Sequence, residues 1–320
     1  MPLTPRRPED PGTVQTLPAG VWRAAADRHG VMVHDLTKGQ RARAGAGLPH
    51  PVEDFLFTYY SLRPAQLRRW HPGAAVALAD APERARWRFH RAVAGSPESP
   101  TVAVDVAAFL AARGPQVDFS RRLLSATAAA PGQFGCFGLH EWAMVYEQGP
   151  DQRRHASWPL RLGQTGTDEV VRDHQIRCTH YDAYRFFTPA ARPRNTLRPD
   201  LDARIEMEQP GCLHAGMDVY KWAYKLIPLV SSELLLDCFE LARAIRELDM
   251  RASPYDLAEL GYPAVKIETP AGKAEYVAGQ RRFAEAGQLL RRRVLDALDV
   301  LDALDGAAGS AGGAPAPQRR

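Results

Sequence analysis

Three short segments share one arrangement of reactive side chains: GCFGLHEW (135–142), RCTHYD (177–182) and PGCLHAGMD (210–218). Each sets a cysteine shortly before a histidine, with an acid close behind: Cys136 with His140 and Glu141, Cys178 with His180 and Asp182, Cys212 with His214 and Asp218. Thiolate and neutral imidazole are good ligands for zinc or iron, so the segments suit a metal site if they converge. Two ligand sets are open, one of cysteine and histidine, the other of His140, His180 and His214 with a nearby carboxylate. None of the segments has a compact ligand spacing such as paired CxxC or HExxH. Buried cysteine also behaves as a small hydrophobe, so satisfied core histidines are the competing account.

A second chemistry is the holding of a planar base. The stretch IRCTHYDAYRFFTPAARPRN (176–195) carries four aromatics and four arginines in twenty positions. An enzyme acting on a nucleobase takes it out of the stack and holds it between aromatic or apolar faces. Tyr181, Tyr184 and Phe186 here, Trp142 earlier, and Tyr220 and Trp222 later are the candidate walls, while Arg185, Arg192 and Arg194 are placed to meet phosphates. Trp142 with Tyr146 and Tyr220 with Tyr224 also have the spacing that core packing of a helix produces.

The elements that must position these residues are mostly helical. VWRAAADRHGVMVHDLTKGQRARA reads as an opening helix softened near Gly30, and PVEDFLFTYYSL as a short apolar second one. VALA (76–79) and RWRFHRAV (86–93) alternate as strands and suggest a small hairpin. VDVAAFLAARG and DFSRRLLSATAAA read as two helices ended by Gly114 and Pro131. After Ser231, Leu234, Cys238, Leu241, Ile245 and Leu248 form one buried stripe, and the intervening Asp237, Glu240, Arg243, Arg246, Glu247, Asp249 and Arg251 read as a solvated face of ion pairs. A last long helix after Pro270 has a seam of Phe283, Leu290, Val294, Leu298 and Leu301. The expected fold is predominantly α-helical with minor β content, one globular domain over 19–305 between disordered tails at 1–18 and 306–320.

Composition sets the outer limits. The 320 residues are 45% hydrophobic and 24% charged, as in ordinary soluble domains. No apolar run approaches the roughly 18–20 residues of a membrane helix, and MPLTPRRPEDPGTVQTLPAG lacks the apolar centre of a signal peptide, so a cytoplasmic protein without a membrane partner is expected. Four cysteines in such a chain are expected to stay reduced. A formal net charge of +4 permits contact with DNA without demanding it. There is no GxGxxG after a strand, no phosphate loop and no GxSxG elbow.

Taken together, HPVEDFLFTYYSLRPAQLRRWHPG, FGCFGLHEWAMVY, IRCTHYDAYRFFTPAARPRNTLRP, MEQPGCLHAGMDVYKWAYKL and CFELARAIRELDMRASPYDL resemble a family of actinobacterial proteins labelled 3-methyladenine DNA glycosylase, over about Val21 to Leu304. The resemblance implies a monofunctional DNA N-glycosylase, a hydrolase of base excision repair that removes alkylated purine from DNA without a metal or other cofactor. A 3-alkylated adenine is cationic, so its glycosidic bond is already weakened. The enzyme must then supply an aromatic pocket and a carboxylate that orients water and stabilises charge on the sugar. Among the aromatics Asp182 is the first candidate, followed by Glu141 beside Trp142 and Asp218 beside Tyr220 and Trp222. The alternative is a metal-dependent hydrolase or oxygenase of a small or nucleotide-like substrate, with zinc or iron on His140, His180 and His214.

Overall fold

The computed structural model describes residues 14–149 and 157–311. Its first strand, β1 (Gln15–Leu17), falls inside the segment expected to be a disordered tail, because it pairs in parallel with β2 (Val76–Leu78). The rest of that tail, 1–13, lies outside the described residues, as does 312–320 of the expected C-terminal tail, whereas 306–311 of that tail continue the last helix, which ends at Ala311. Between β1 and β2 come α1 (Ala19–Ala46), which passes through Gly30 without a break, α2 (Phe55–Tyr59) and α3 (Pro64–Leu67).

Both expected strands form, but they do not pair with each other as a hairpin. β3 (His90–Gly95) pairs with β4 (Pro100–Val104), and β4 inserts between β2 and β3, so the sheet order is β1-β2-β4-β3. Alternation in RWRFHRAV suggested a strand from Arg86, but Arg84–Arg86 close a 3₁₀ turn and Phe89 takes a left-handed φ of 61°, which delays pairing until His90. Trp22, Trp70, Val76, Leu78, Ala81 and Val102 pack α1 against this sheet as a small separate core.

The two helices expected on either side of Gly114 are one, α4 (Val106–Ala129), capped by the Asp105 carboxylate at the amide of Ala108. Pro115 inside it removes a backbone hydrogen bond and crowds the preceding turn, at a cost of about 3 kcal/mol. Burial of Phe109 on one side of the proline and of Val117, Leu123, Leu124 and Thr127 on the other holds the helix together. Tertiary packing, invisible in local sequence, outweighs the local breaker.

The short helices α5 (Leu139–Ala143), α7 (Tyr181–Tyr184) and α8 (Arg204–Met207), with α6 (Gly163–Asp173) between them, lead into α9 (Leu213–Lys225). α9 is buried nearly all round, against α10 (Ser232–Arg251), α11 (Pro270–Ala311) and α4. Gly216 allows that closeness, since a Cβ there would meet Ile245 Cδ1 at 2.8 Å. The result is predominantly helical with one small sheet, and among the described residues no helix is long and apolar enough to cross a membrane.

Candidate functional site

The three cysteine–histidine segments converge. His140 lies on α5, His180 caps α7 and His214 lies on α9; His214 sits between the other two, its ring centroid 4.4 Å from His140 and 5.2 Å from His180. Cys136, Cys178 and Cys212, with His140 and His214, line one cavity of about 410 Å³, whose wall also holds Gln133, Gln175, Gln209, Gln280, Arg177, Thr179 and Tyr276. That volume is in the range of small-molecule sites. Asn195 fixes the second segment: its Oδ1 accepts from the Cys178 amide at 2.7 Å and its Nδ2 donates to the Cys178 carbonyl at 3.0 Å.

Cys136 and His140 are joined to a third residue that local sequence placed on a solvated face. Cys136 Sγ is 3.7 Å from His140 Nδ1, and His140 Nε2 is 2.9 Å from Asp249 Oδ1. Asp249 is fully buried, with its other oxygen 3.1 Å from Arg246 Nη1. Arg246 Nη1 also donates to Glu141 at 2.9 Å, Nη2 donates to the Pro51 carbonyl, and the guanidinium lies 3.9 Å over the Phe55 ring. Arg246 and Asp249 are therefore core residues and not a solvated pair. Spacing of three residues put them one above the other on α10, and Glu141 and His140 meet them from α5. Phe137 and Gly138, both with left-handed φ (46° and 72°), make the turn that carries the chain from Cys136 into α5.

Electrostatics separates the three imidazoles. Burial disfavours the charged form of His140, but the Asp249 carboxylate and Cys136 outweigh it and raise its proton affinity well above the ordinary histidine value. Burial, followed by the charge on His140, pushes His214 well below that value, and its Nδ1 has no hydrogen-bond partner. His180 Nε2 stands 3.4 Å from both Glu208 Oε1 and Asp218 Oδ2, aligned for a hydrogen bond with neither.

The three candidate carboxylates lie close to these imidazoles, but each is already committed. Asp218 accepts from Tyr60 Oη at 2.8 Å, Arg204 Nη2 at 2.7 Å and Lys221 Nζ at 3.2 Å. Asp182 is held by Lys221 at 2.8 Å, Arg185 at 3.2 Å and Arg204 at 3.3 Å. Burial alone would raise both acids; Lys221 with Arg204 lowers Asp182, and Lys221, the adjacent His180 and Arg204 hold Asp218 far below the usual carboxylate range. Asp182, Glu141, Phe186 and His214, with Phe55 and Tyr59, surround a second, much smaller cavity of about 20 Å³. That holds one or two waters and not a base.

The candidate aromatics belong to the core and its margins, with Phe186 at the small cavity. Trp142 is fully buried with Nε1 donating to the Ala252 carbonyl. Tyr220 packs among Tyr60, Tyr224 and Phe239. Trp222 faces Phe119 and the cations of Arg204, Lys221 and Lys225. Tyr181 is half-buried and Tyr184 rests on Phe187. None of the six candidates lines the large cavity; Tyr276 from α11 is its aromatic side chain. Of the arginines, Arg185 covers Phe186, Arg194 donates to Tyr146 Oη, and Arg192 is exposed with one bond to the Arg185 carbonyl.

Compared with models of protein families, with curated proteins and with solved structures, the chain matches none.

Two measurements probe this interior. A Cβ on Gly211 would fall 2.4 Å from the Gln133 carbonyl oxygen and 2.9 Å from its nitrogen, both backbone. Gly211→Ala is expected to lower stability by about 1–3 kcal/mol in urea unfolding, as overpacking does. The second is pH. Unfolded histidine titrates near ~6.5 and aspartate near ~3.9. His214 and His71, the latter pushed down by burial to about 3, stay neutral in the folded state, so the unfolded chain gains protons first as pH falls below ~6.5 and stability declines. Below ~3.9 the depressed Asp218, Asp249 and Asp182 add to that decline. His140 has the opposite sign: its contribution is full below ~6.5 and is lost as pH rises through its raised folded value. The urea midpoint is expected to peak near pH ~6.5 and fall on both sides; a monotonic profile from pH 4 to 9 would contradict the assigned charge states.

Proposed function

We propose that the chain is a thiol-nucleophile enzyme acting at a trigonal carbon of a small polar substrate bound in the 410 Å³ cavity. One observation carries the reading: the Cys136–His140–Asp249 alignment, at 3.7 Å and 2.9 Å, in the wall of that cavity. A nucleophile within reach of a base that is itself oriented by a buried acid is the arrangement nucleophilic catalysis requires. The reactive form has the proton on His140 and the negative charge on sulfur, and the raised proton affinity of His140 acts in that direction. Cys136 sulfur then bonds to the substrate carbon, the bond to the leaving atom breaks, and His140 delivers its proton to the leaving group. Water, deprotonated by the now neutral His140, attacks the acyl carbon, the carbon–sulfur bond breaks, and the Cys136 thiolate with protonated His140 is restored.

Base excision, which the family resemblance implies, needs a carboxylate facing the base. None of Asp182, Glu141 and Asp218 lines the large cavity, so the thiol reading suits it better. A metal centre is the second reading, supported by His140, His214 and Asp249, whose ligand atoms lie within 4.8 Å of one another. His180, Glu208 and Asp218 form a similar group, but Arg204 already binds both carboxylates. The test of the first reading is reaction with p-nitrophenyl acetate, a small activated ester. Peptide mass spectrometry is expected to find the acetyl group on Cys136, with a nitrophenolate burst that Cys136→Ala abolishes. Zinc or iron bound stoichiometrically and lost in His214→Ala, with no acyl-enzyme, would establish the second reading instead.

A further inference from the structure

The cavity wall carries two glutamine amides whose orientation is forced by backbone partners. Gln209 Oε1 accepts from the Gln133 amide and from the Gly211 amide, both at 2.8 Å. Backbone N–H groups can only donate, so the oxygen is fixed and the group Gln209 keeps for a ligand is its Nε2 donor. Gln280 is tethered the other way round. Its Nε2 donates to the Gly211 carbonyl, and its Oε1 is a buried acceptor with no partner. Both side chains are almost fully buried, at 6% and 1% exposure, and both line the 410 Å³ cavity.

One donor and one acceptor, anchored to the two ends of the same glycine residue, thus stand in one wall. A buried acceptor without a partner disfavours the empty site, and a ligand donor would satisfy it. We infer that this pair recognises a neutral carboxamide edge, in which an N–H lies beside a C=O: the ligand N–H donates to Gln280 Oε1 and its carbonyl accepts from Gln209 Nε2. The opposite polarity of the two amides selects against a carboxylate, which would bring an acceptor to Gln280 where a donor is required. The inference names the substrate class of the thiol site and rests on that reading for the chemistry, while the recognition itself is a binding property.

That difference defines the experiment. Binding of benzamide and of benzoate, equal in shape and unlike in donor content, is measured by calorimetry on the full chain carrying Cys136→Ala, which cannot turn over. Benzamide is expected to bind saturably and benzoate about ten- to a hundred-fold more weakly. Gln209→Glu keeps an oxygen for both backbone N–H groups and replaces the free donor by an acceptor, so it is expected to remove the preference for benzamide. Gln280→Leu serves as the second variant, with thermal melting to show that each folds. Equal binding of the two ligands, no saturable benzamide binding at concentrations on the order of 10 mM, or an unchanged preference in both folded variants would overturn the assignment. Benzamide binding with no acyl-enzyme in the native chain would retain the amide site and remove the thiol reading; an acyl-enzyme without benzamide preference would do the reverse.

Discussion

Asp249→Asn is expected to slow acylation of Cys136 by a factor on the order of 10²–10⁴ while leaving the cysteine and histidine in place. The reason is specific to the geometry. Asp249 Oδ1 accepts from His140 Nε2, and this contact orients the ring so that Nδ1 faces the sulfur. A carboxamide at position 249 keeps the shape, but removes the charge that holds the proton on His140. The loss is expected in the rate of the nitrophenolate burst more than in the concentration dependence, because Asp249 does not line the cavity. The pH profile separates catalysis from folding: without the Asp249 charge the proton affinity of His140 falls, so the pH dependence of the variant's rate should shift from that of the native protein. A burst in Asp249→Asn within threefold of the native rate would show that the aspartate is only structural.

Arg246→Ala is expected to lower stability by about 3–5 kcal/mol, the cost of removing one partner from a buried ionic pair. Glu141 and Asp249 would be left facing each other inside the core without their shared cation, and Phe55 would lose the guanidinium above its ring. Against a typical total of about 5–15 kcal/mol, such a loss is a large part of the whole. Arg243, one turn earlier on the same helix and exposed, is the internal control, and Arg243→Ala is expected to stay within about ±0.5 kcal/mol. Urea unfolding of the two variants decides between the structure and the local reading of α10: equal, small effects would return Arg246 to a solvated face.

That helix shows most clearly what could be read from sequence and what could not. Its start after Ser231 and its apolar stripe were legible because 3.6-residue periodicity acts within a few residues. The helical class with a minor sheet was legible for the same reason. That Arg246 and Asp249 belong inside was not, since a charged side chain is buried only when partners from other elements meet it, and these partners come from α5 and the loop at Pro51. The same limit explains the joined α4 and the strand order, both decided by packing between distant segments.

For the site, the chain itself marked the three cysteine–histidine segments and, through CxxxH in GCFGLHEW, set one thiol and one imidazole four positions apart. The sequence signals for the observed contacts are that spacing, which brings Cys136 to His140, and EQPGCLH, which sets Gln209 and Gly211 beside Cys212. Which acid completes the pair, which cavity the cysteines share and which amide atoms remain free depend on contacts across 109 positions for His140 with Asp249 and 69 for Gln280 with Gly211. Residue types are local and written in the sequence, whereas the proximity that turns them into a donor, an acceptor or a base exists only once the helices have packed.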